Sequence, residues 1–301
     1  MKFTMTENIR SFLDAISESA DIEIVDPITI ADRRGSLVVR SKSSAGDLAI
    51  KIGIPPDANS HPSTPDAFLL VKRESEVLRL INHLKTTYLV ASGVIDRLSI
   101  SFLITKWTDG VPLLRNFRQC KKAGGDAKHL LDEGIRDLLA ALEQLHRAGW
   151  CHGDIQPDHI ISAADHRGAF LLDYALAHGK RTPTEITYKG GLVHFNAPEI
   201  CRSLISGQNA YPTILTDLYS LGGVIFLAAT EHVYPAYADD PKKLPWNVLV
   251  QTIADQRFND LEEARNHVSF GAFRLMKACL DNDPTVRPSS AKRAAEILNE
   301  G

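Results

Sequence analysis

Two aspartates lie in sequence contexts where short strands would bring them together. Asp154 is part of the polar segment CHGDIQPDHII, and Asp173 ends the apolar run at 169–172. Two short strands could therefore direct both carboxylates into one cleft, and grouped carboxylates are typical of sites that transfer protons or bind cations. An aspartate at the end of a strand is often a simple turn former, so the pair must be interpreted together with other charged residues.

Other charged residues follow in the order of a known set of motifs. The strand segment LAIK ends at Lys51, and the helical segment FLLVKRESEVLRLINHL contains Glu74; the aspartate segments CHGDIQPDHII and LLDYA come next. The later segments NAPEI, TDLYSLGGVIF and CLDNDPTVRP contain Glu199, Asp217 and Arg287. Each motif alone is a weak signal, but the ordered series resembles the protein kinase superfamily over nearly the whole chain, residues 22–298.

The resemblance implies an ATP-dependent phosphotransferase that acts on a hydroxyl of a protein or peptide. Phosphoryl transfer needs positioning and charge neutralisation more than covalent chemistry. In this interpretation Lys51 holds the α- and β-phosphates and is paired with Glu74, although the pair could also be a surface ion pair worth about 0–1 kcal/mol. Asp154 accepts the proton of the attacking hydroxyl. Asp173 binds the divalent metal, Mg²⁺ or Mn²⁺, that bridges the phosphates.

The resemblance also implies an adenine site and structural positions. Adenine is expected between side chains of the sheet and of the helical lobe, with backbone hydrogen bonds from the segment that joins them. The residues expected there are Leu37, Ala49, Lys106, Thr108 and Ile161. Asp217 is expected to be structural, and Glu199 and Arg287 are expected to form a partly buried ion pair.

One departure from the kinase pattern concerns regulation and substrate. Gly153 replaces the catalytic-loop arginine that senses a phosphorylated activation segment, so activity should not depend on that phosphorylation. The His-Gly-Asp sequence at 152–154 is also similar to aminoglycoside and choline phosphotransferases, which keeps a small-molecule substrate open. The span 173–199 nevertheless resembles a peptide-binding activation segment, and those relatives generally lack its Ala-Pro-Glu motif with a partner arginine.

His159 is the largest departure, because it stands where the kinase pattern has a metal-binding asparagine. An imidazole suits Mn²⁺, Zn²⁺ or Fe²⁺ better than Mg²⁺, which prefers oxygen ligands. The site would use another metal, or bind one metal through Asp173, or be catalytically inactive. A role for His159 as a hydrogen-bond partner of Asp154 or Asp158, with no metal, accounts for this histidine at least as well. The competing class is a pseudokinase, a nucleotide-binding or scaffold module.

Further departures affect the phosphate loop and the acceptor. The glycine-rich loop is reduced to Gly35, preceded by Arg33 and Arg34, whose guanidinium groups could replace the phosphate cradle or simply face solvent. Gln156 and Leu192 stand where serine/threonine kinases keep a lysine and a threonine. The sequence therefore predicts no particular acceptor residue.

The resemblance, together with the predicted helices and strands, implies an α+β, two-lobed protein kinase-like fold. A strand at 47–53 puts Leu48 and Ile50 on one face and Ala49 and Lys51 on the other, because side chains alternate. The other elements expected are a helix at 7–18, strands at 22–30 and 36–41 around a turn at 31–35, a proline-rich loop at 54–67, and helices at 68–84 and 135–148. We predict a helical extension at 1–21, a small antiparallel sheet lobe at 22–107 and a larger helical lobe at 108–301.

Composition limits the possible partners and the cellular location of the protein. The 301 residues include 34 basic and 37 acidic side chains, and the formal charge of −3 argues against binding nucleic acid or membrane mainly by charge. The four cysteines form no C-x-x-C pair, and the most apolar stretch after the N-terminus, at 219–230, is about half of the ~20 residues that a membrane span needs. We expect a cytoplasmic protein with a protein or peptide partner.

Overall fold

The computed structural model describes residues 5–33, 35–44, 46–56, 66–84, 88–163, 169–181 and 187–300. Arg34 of the predicted turn and residues 57–65 of the predicted proline-rich loop lie outside these ranges. Among the described residues the chain divides into two compact units, with the division after Thr108.

The N-terminal unit is built on an antiparallel sheet. Within the described ranges its five strands lie in the order β1-β2-β3-β5-β4. The strands are β1 (Val25–Arg33), β2 (Ser36–Lys42), β3 (Leu48–Gly53), β4 (Leu89–Ile95) and β5 (Ile100–Lys106), and the helices are α1 (Met5–Ala20) and α2 (Ala67–Ile81). Strand β1 continues through most of the predicted turn, because Asp32 pairs with Leu37 and Arg33 with Ser36.

One face of this sheet forms a hydrophobic core, and the other carries Lys51. Ile50 on β3 is fully buried in one hydrophobic core with Phe102 of β5 and with Leu13 and Ile16 of α1. Lys51, the next residue on β3, is on the opposite face, as the alternation predicts. Helix α1 therefore shares its core with the strands and covers the face that carries no predicted site residue of β3.

The position of Leu37 corrects one prediction for the adenine site. In the β2–β3 register, Leu37 pairs with Ile52 and Val38 pairs with Lys51. Paired residues project from the same side of a sheet, so Leu37 lies in the core beneath α1, where it is 3% exposed. The prediction for Leu37 is wrong, and Val38 is the β2 residue that shares a face with Ala49 and Lys51.

The C-terminal unit is mainly helical. Its helices are α3 (Leu113–Lys122), α4 (Ala127–Arg147), α5 (Pro198–Ile205), α6 (Ile214–Thr230), α7 (Trp246–Ala254), α8 (Phe270–Cys279) and α9 (Ala291–Asn299). Helix α4 begins well before the predicted 135, because the Asp126 side chain accepts a hydrogen bond from the His129 N–H and caps the helix there. In the part of the chain that the structure describes, no helix has the length and apolar character needed to cross a membrane.

Short strands of this unit carry the predicted catalytic segments. Strand β8 (Ile160–Ala163) lies between β6 (Gly110–Pro112) and β9 (Ala169–Leu171), and β7 (Trp150–Cys151) pairs with β10 (His178–Gly179). Asp154 lies between β7 and β8, and Asp173 follows β9. The predicted α+β class, with a small antiparallel sheet followed by a larger helical part, is confirmed.

The ion pair between Glu199 and Arg287 links α5 to the chain before α9. Arg287 Nη1 lies 2.6 Å from Glu199 Oε1, and Nη2 lies 3.0 Å from Oε2. The guanidinium also donates through Nε to the Asp281 carbonyl at 2.8 Å and lies 4.8 Å from the ring centre of Tyr219. The Arg287 side chain is fully buried, whereas that of Glu199 is 27% exposed.

We expect Arg287→Ala to lower the free energy of unfolding by about 3–5 kcal/mol, because it leaves Glu199 without its cation and opens a gap beside Tyr219. Urea denaturation of the purified protein measures the change. Arg293→Ala is the control: Arg293 makes an exposed pair with Glu296 at 2.9 Å, and we expect a loss below about 1 kcal/mol. Equal losses in the two variants would contradict the prediction.

Candidate active site

Lys51 and Glu74 form the predicted ion pair in the N-terminal unit. Lys51 Nζ lies 2.7 Å from Glu74 Oε2, and the two side chains are 19% and 5% exposed. Helix α2 is held against the sheet by the Ser101 hydroxyl of β5, which donates to the Phe68 carbonyl at 2.7 Å. A pair this well buried is unlike a solvated surface bridge, and it leaves a lysine head group fixed on the face opposite α1.

The residues predicted to meet adenine are distributed over both units. Ala49 pairs with Thr105 on the Lys51 face of the sheet. The Lys106 N–H already donates to the Tyr88 carbonyl at 2.9 Å, whereas no acceptor for the Thr108 N–H is found among the described residues. Ile161 is 9% exposed and pairs with Phe170 in the C-terminal unit. The adenine-binding role of these residues stays a prediction.

Asp217 organises the catalytic loop, the segment 152–159 between β7 and β8. Its carboxylate is 1% exposed and accepts hydrogen bonds from the His152 N–H at 2.8 Å and the Gly153 N–H at 2.9 Å. The His146 ring of α4 lies against the same carboxylate, with Nε2 at 2.9 Å from Oδ2. Asp217 thus ties the loop to helices α4 and α6.

Asp154 has hydrogen-bond donors on both carboxylate oxygens. The Leu192 backbone N–H donates to Oδ1 at 2.8 Å, and the Gln156 side-chain amide donates to Oδ2 at 2.9 Å. The two positions that lack the usual lysine and threonine therefore still support the carboxylate, through neutral groups. Asp154 is 14% exposed and oriented, as a general base must be.

His159 lies between the two aspartates. Its Nδ1 is 3.0 Å from the Asp154 carbonyl oxygen, and its Nε2 is 3.7 Å from Asp173 Oδ2. A carbonyl can only accept, so Nδ1 carries the proton and, in the neutral ring, Nε2 presents its lone pair towards Asp173. The predicted contact between His159 and Asp154 is present, and the same orientation makes Nε2 available to a cation.

The backbone at Asp173 also directs its carboxylate. Its φ of +63° is in the left-handed region, which non-glycine residues adopt rarely and which recurs among residues of active sites. Asp173 Oδ1 accepts a hydrogen bond from the Ala175 N–H at 3.3 Å, and the side chain is 33% exposed. The carboxylate is therefore oriented by the local backbone and is only partly buried.

His152 is a structural residue of the loop. It is fully buried, accepts a hydrogen bond at Nδ1 from the Asp154 N–H at 3.3 Å, and lies with Nε2 at 3.1 Å from the Leu172 carbonyl. Burial lowers the pKa of His152, and the nearby Asp217 carboxylate opposes this shift. A neutral ring that donates through Nε2 joins the catalytic loop to the chain just before Asp173.

Sequence reasoning missed two residues that shape the site. Asn196 accepts a hydrogen bond at Oδ1 from the Gly191 N–H at 3.0 Å, and the Tyr188 hydroxyl donates to the Gly153 carbonyl at 2.8 Å. Both lie between Asp173 and Glu199, where a single asparagine or tyrosine carries no spacing signal. The tertiary contacts alone identify them.

The arrangement of the catalytic loop agrees with comparisons to known proteins. A family model described as the protein kinase domain matches residues 41–300. This chain belongs to the protein kinase family. The match confirms the resemblance carried by the ordered motifs.

Individual kinases are similar to the chain at low identity. Mitogen-activated protein kinase kinase kinase 3 of Arabidopsis thaliana is 29% identical over 177 residues, covering 57% of this chain and 26% of that protein. Serine/threonine-protein kinase PknK of Mycobacterium tuberculosis is 29% identical over 180 residues, covering 58% of this chain and 15% of that kinase. A homologue of the hormonally up-regulated neu tumor-associated kinase, from Xenopus tropicalis, is 23% identical over 296 residues, covering 93% and 40%. The chain thus spans less than half the length of each of these kinases.

We expect Asp217→Ala to lower the free energy of unfolding by about 3–5 kcal/mol, because the donors of His152, Gly153 and His146 lose their acceptor inside the protein. Thermal and urea unfolding measure the loss. Asp217→Asn keeps one acceptor oxygen and should lose clearly less. If the alanine and asparagine variants were equally stable, the carboxylate would not be organising the kinase catalytic loop.

Proposed function

We propose that this protein transfers the γ-phosphate of ATP to a hydroxyl of a protein or peptide. The observation that carries the proposal is the cluster of Asp154, His159 and Asp173 in the C-terminal unit. His159 Nδ1 is 3.5 Å from Asp154 Oδ2, and His159 Nε2 is 3.7 Å from Asp173 Oδ2. An oriented carboxylate beside a second carboxylate and an imidazole can serve a base and a metal within one site.

Each charged residue has a distinct part in this proposal. Asp154, held by Leu192 and Gln156, accepts the proton of the attacking hydroxyl as the new phosphate ester forms, while the bond between the γ-phosphorus and the bridging oxygen breaks and ADP leaves. Lys51 neutralises charge on the α- and β-phosphates, and Glu74 keeps its ammonium group in place. These tasks match what phosphoryl transfer requires, namely alignment of the nucleophile and stabilisation of phosphate charge.

The residues present fit a divalent cation of the softer kind. Asp173 offers a carboxylate on a side chain that is 33% exposed, and His159 offers Nε2, which carries the lone pair in the neutral ring. Their separation of 3.7 Å is shorter than the roughly 4.2 Å that two metal–ligand bonds of about 2.1 Å can span. One nitrogen beside one carboxylate suits Mn²⁺ better than Mg²⁺. A bound metal would screen the phosphate charge that develops during transfer.

A protein or peptide acceptor is supported by the activation segment, residues 173–199. Its Ala-Pro-Glu end is anchored by the ion pair of Glu199 with Arg287, and Leu192 within it is 41% exposed beside Asp154. An exposed apolar side chain next to the base suits an extended peptide. The relatives named above are protein kinases, which supports the same class of acceptor over a small molecule.

A cytoplasmic location is part of the proposal. All four cysteines lie within the described ranges and none of them forms a disulfide, as expected in a reducing compartment. Burial raises the pKa of Cys201 to about 12, so this thiol is protonated and unreactive at neutral pH.

A pseudokinase is the second candidate, and His159 is the observation that favours it. The imidazole replaces the oxygen ligand of the family at the metal site, and its Nδ1 is already bonded to the Asp154 carbonyl. In this alternative, His159 and the two aspartates form a hydrogen-bonded cluster that keeps the fold and binds nucleotide without turnover.

Incubation of the pure protein with γ-labelled ATP and either Mg²⁺ or Mn²⁺ separates the two candidates. We expect labelled protein or peptide and loss of ATP. Asp154→Asn should lower the rate on the order of 10²-fold or more with little change in melting temperature. Wild-type turnover in this variant would remove Asp154 from the base role, and ATP binding with no turnover by the wild type would support the pseudokinase.

Lys51→Arg tests the phosphate anchor without leaving the buried Glu74 unpaired. Arginine keeps the positive charge but has a longer, planar head group, so we expect a loss of about 10²-fold in kcat/KM for ATP and a nearly unchanged melting temperature. Lys51→Met should lose activity and stability together, because Glu74 is 5% exposed. Full activity in the arginine variant would contradict the proposed role of Lys51.

The metal preference gives a further test. We expect wild-type activity to be higher with Mn²⁺ than with Mg²⁺, and His159→Asn to raise the Mg²⁺ to Mn²⁺ activity ratio about tenfold, because it restores an oxygen ligand. Asp158→Asn is the control, since Asp158 is exposed and adjacent to His159. An identical ratio in wild type and His159→Asn would show that His159 is not a metal ligand.

A further inference from the structure

Tyr188 of the activation segment is bonded directly to the catalytic loop. Its hydroxyl donates to the Gly153 carbonyl at 2.8 Å, and the residue is 7% exposed. Burial raises the pKa of Tyr188 well above its ordinary value, and the Asp217 and Asp154 carboxylates add to the shift. The phenol is therefore protonated across the physiological pH range and remains a donor.

The backbone at Gly153 excludes the residue that the kinase pattern has there. Gly153 has a φ of +77°, which side chains rarely adopt. A Cβ at this position would lie 2.6 Å from the Leu176 carbonyl oxygen and 3.1 Å from Pro212. An arginine does not fit this conformation. Residue 153 therefore cannot supply the arginine that pairs with a phosphate and orders the activation segment in other kinases.

The contact at Tyr188 leads along a short stretch to the carboxylate of Asp154. Gly190 has a φ of +83°, and the Gly191 N–H donates to Asn196. A Cβ at Gly191 would lie 2.2 Å from Asp154 Oδ1, and the next N–H, that of Leu192, donates to this same oxygen at 2.8 Å. The stretch 188–192 is thus attached at its two ends to successive residues of the catalytic loop.

These contacts make Tyr188 unsuited to be a phosphorylation switch. A phosphate on its oxygen would remove the donor that Gly153 uses and would place about two negative charges in a buried position near Asp154 and Asp217. The neutral hydroxyl, by contrast, satisfies a backbone carbonyl at no cost in charge burial. The unmodified tyrosine therefore supplies the order that other kinases obtain from a phosphate.

We propose that Tyr188 is a positioning residue that fixes the activation segment on the catalytic loop in the unmodified protein, so that Leu192 orients the Asp154 carboxylate without phosphorylation. The anchoring is a property of the C-terminal unit. Its consequence for turnover rests on the proposed function.

Hydrogen exchange of Tyr188→Phe tests the anchoring without any need for activity. The variant keeps the ring and removes the hydroxyl, so we expect exchange at 187–193 to become about tenfold faster, with unchanged exchange in α8. Tyr211→Phe is the matched control, because Tyr211 is 52% exposed in the same unit; it should match wild type. Wild-type exchange at 187–193 in Tyr188→Phe would overturn the proposal, as would equal acceleration in α8.

A kinetic experiment tests the consequence for catalysis. With ATP and Mn²⁺, we expect Tyr188→Phe to lower kcat about tenfold with KM for ATP unchanged, and Tyr211→Phe to behave as wild type. Wild-type protein treated with a phosphatase, which is then removed, should keep its full rate; loss of activity after this treatment would overturn the proposal. A wild type that binds ATP without turnover would refute the proposed function, and the exchange result would still decide whether Tyr188 anchors the segment.

Discussion

The buried carboxylate of Asp217 is the interaction on which the rest of the candidate site depends. A charged group inside a protein is tolerated when donors surround it, and here the donors are the N–H groups of His152 and Gly153 and the ring of His146. Those bonds set the path of the catalytic loop. They place Asp154 one residue beyond the held segment, and the His152 ring carries the constraint on to the chain before Asp173.

The site keeps the carboxylates of the kinase pattern while replacing many of the groups around them. Asp154 is supported by the amide of Gln156 and a backbone N–H in place of a lysine and a threonine, and the activation segment is held by a phenol in place of a phosphate and an arginine. Replacing the lysine and the phosphate–arginine pair exchanges charged partners for neutral ones. A neutral donor costs less to bury than a charge does, so the geometry can be retained in a less charged surrounding.

His159 is the exception, because it introduces a titratable ring between two carboxylates. Its Nδ1 bond to the Asp154 carbonyl fixes which nitrogen faces Asp173, much as an outer hydrogen bond orients a histidine that binds a metal. The same bond couples the proposed base to the proposed metal ligand through one ring. The choice between kinase and pseudokinase therefore depends on the chemistry of this side chain.

Much of the fold followed from local pattern. The alternation at Leu48, Ala49, Ile50 and Lys51 predicted which side of β3 carries the lysine, because a strand reverses its side chains at every residue. The family resemblance carried by the ordered motifs implied the pairs Lys51–Glu74 and Glu199–Arg287, and both pairs are present. Helix ends were predicted less well: α4 begins at Ala127 because of the Asp126 cap, a short-range signal that the leucine pattern does not contain.

Other features were decided by tertiary structure alone. Leu37 and Val38 are adjacent apolar residues, and their faces are set by the register of β2 against β3, which a single-residue slip would reverse. Tyr188 and Leu192 reach the catalytic loop from more than 30 positions away, and such long-range hydrogen bonds leave no periodic trace in the chain. The sequence by itself determined the residue types and their order, because these reflect local propensity and motif chemistry. The tertiary structure alone decided which backbone groups bond to the buried polar atoms. The physical reason is that an unpaired donor or acceptor destabilises the protein only once folding has removed it from water.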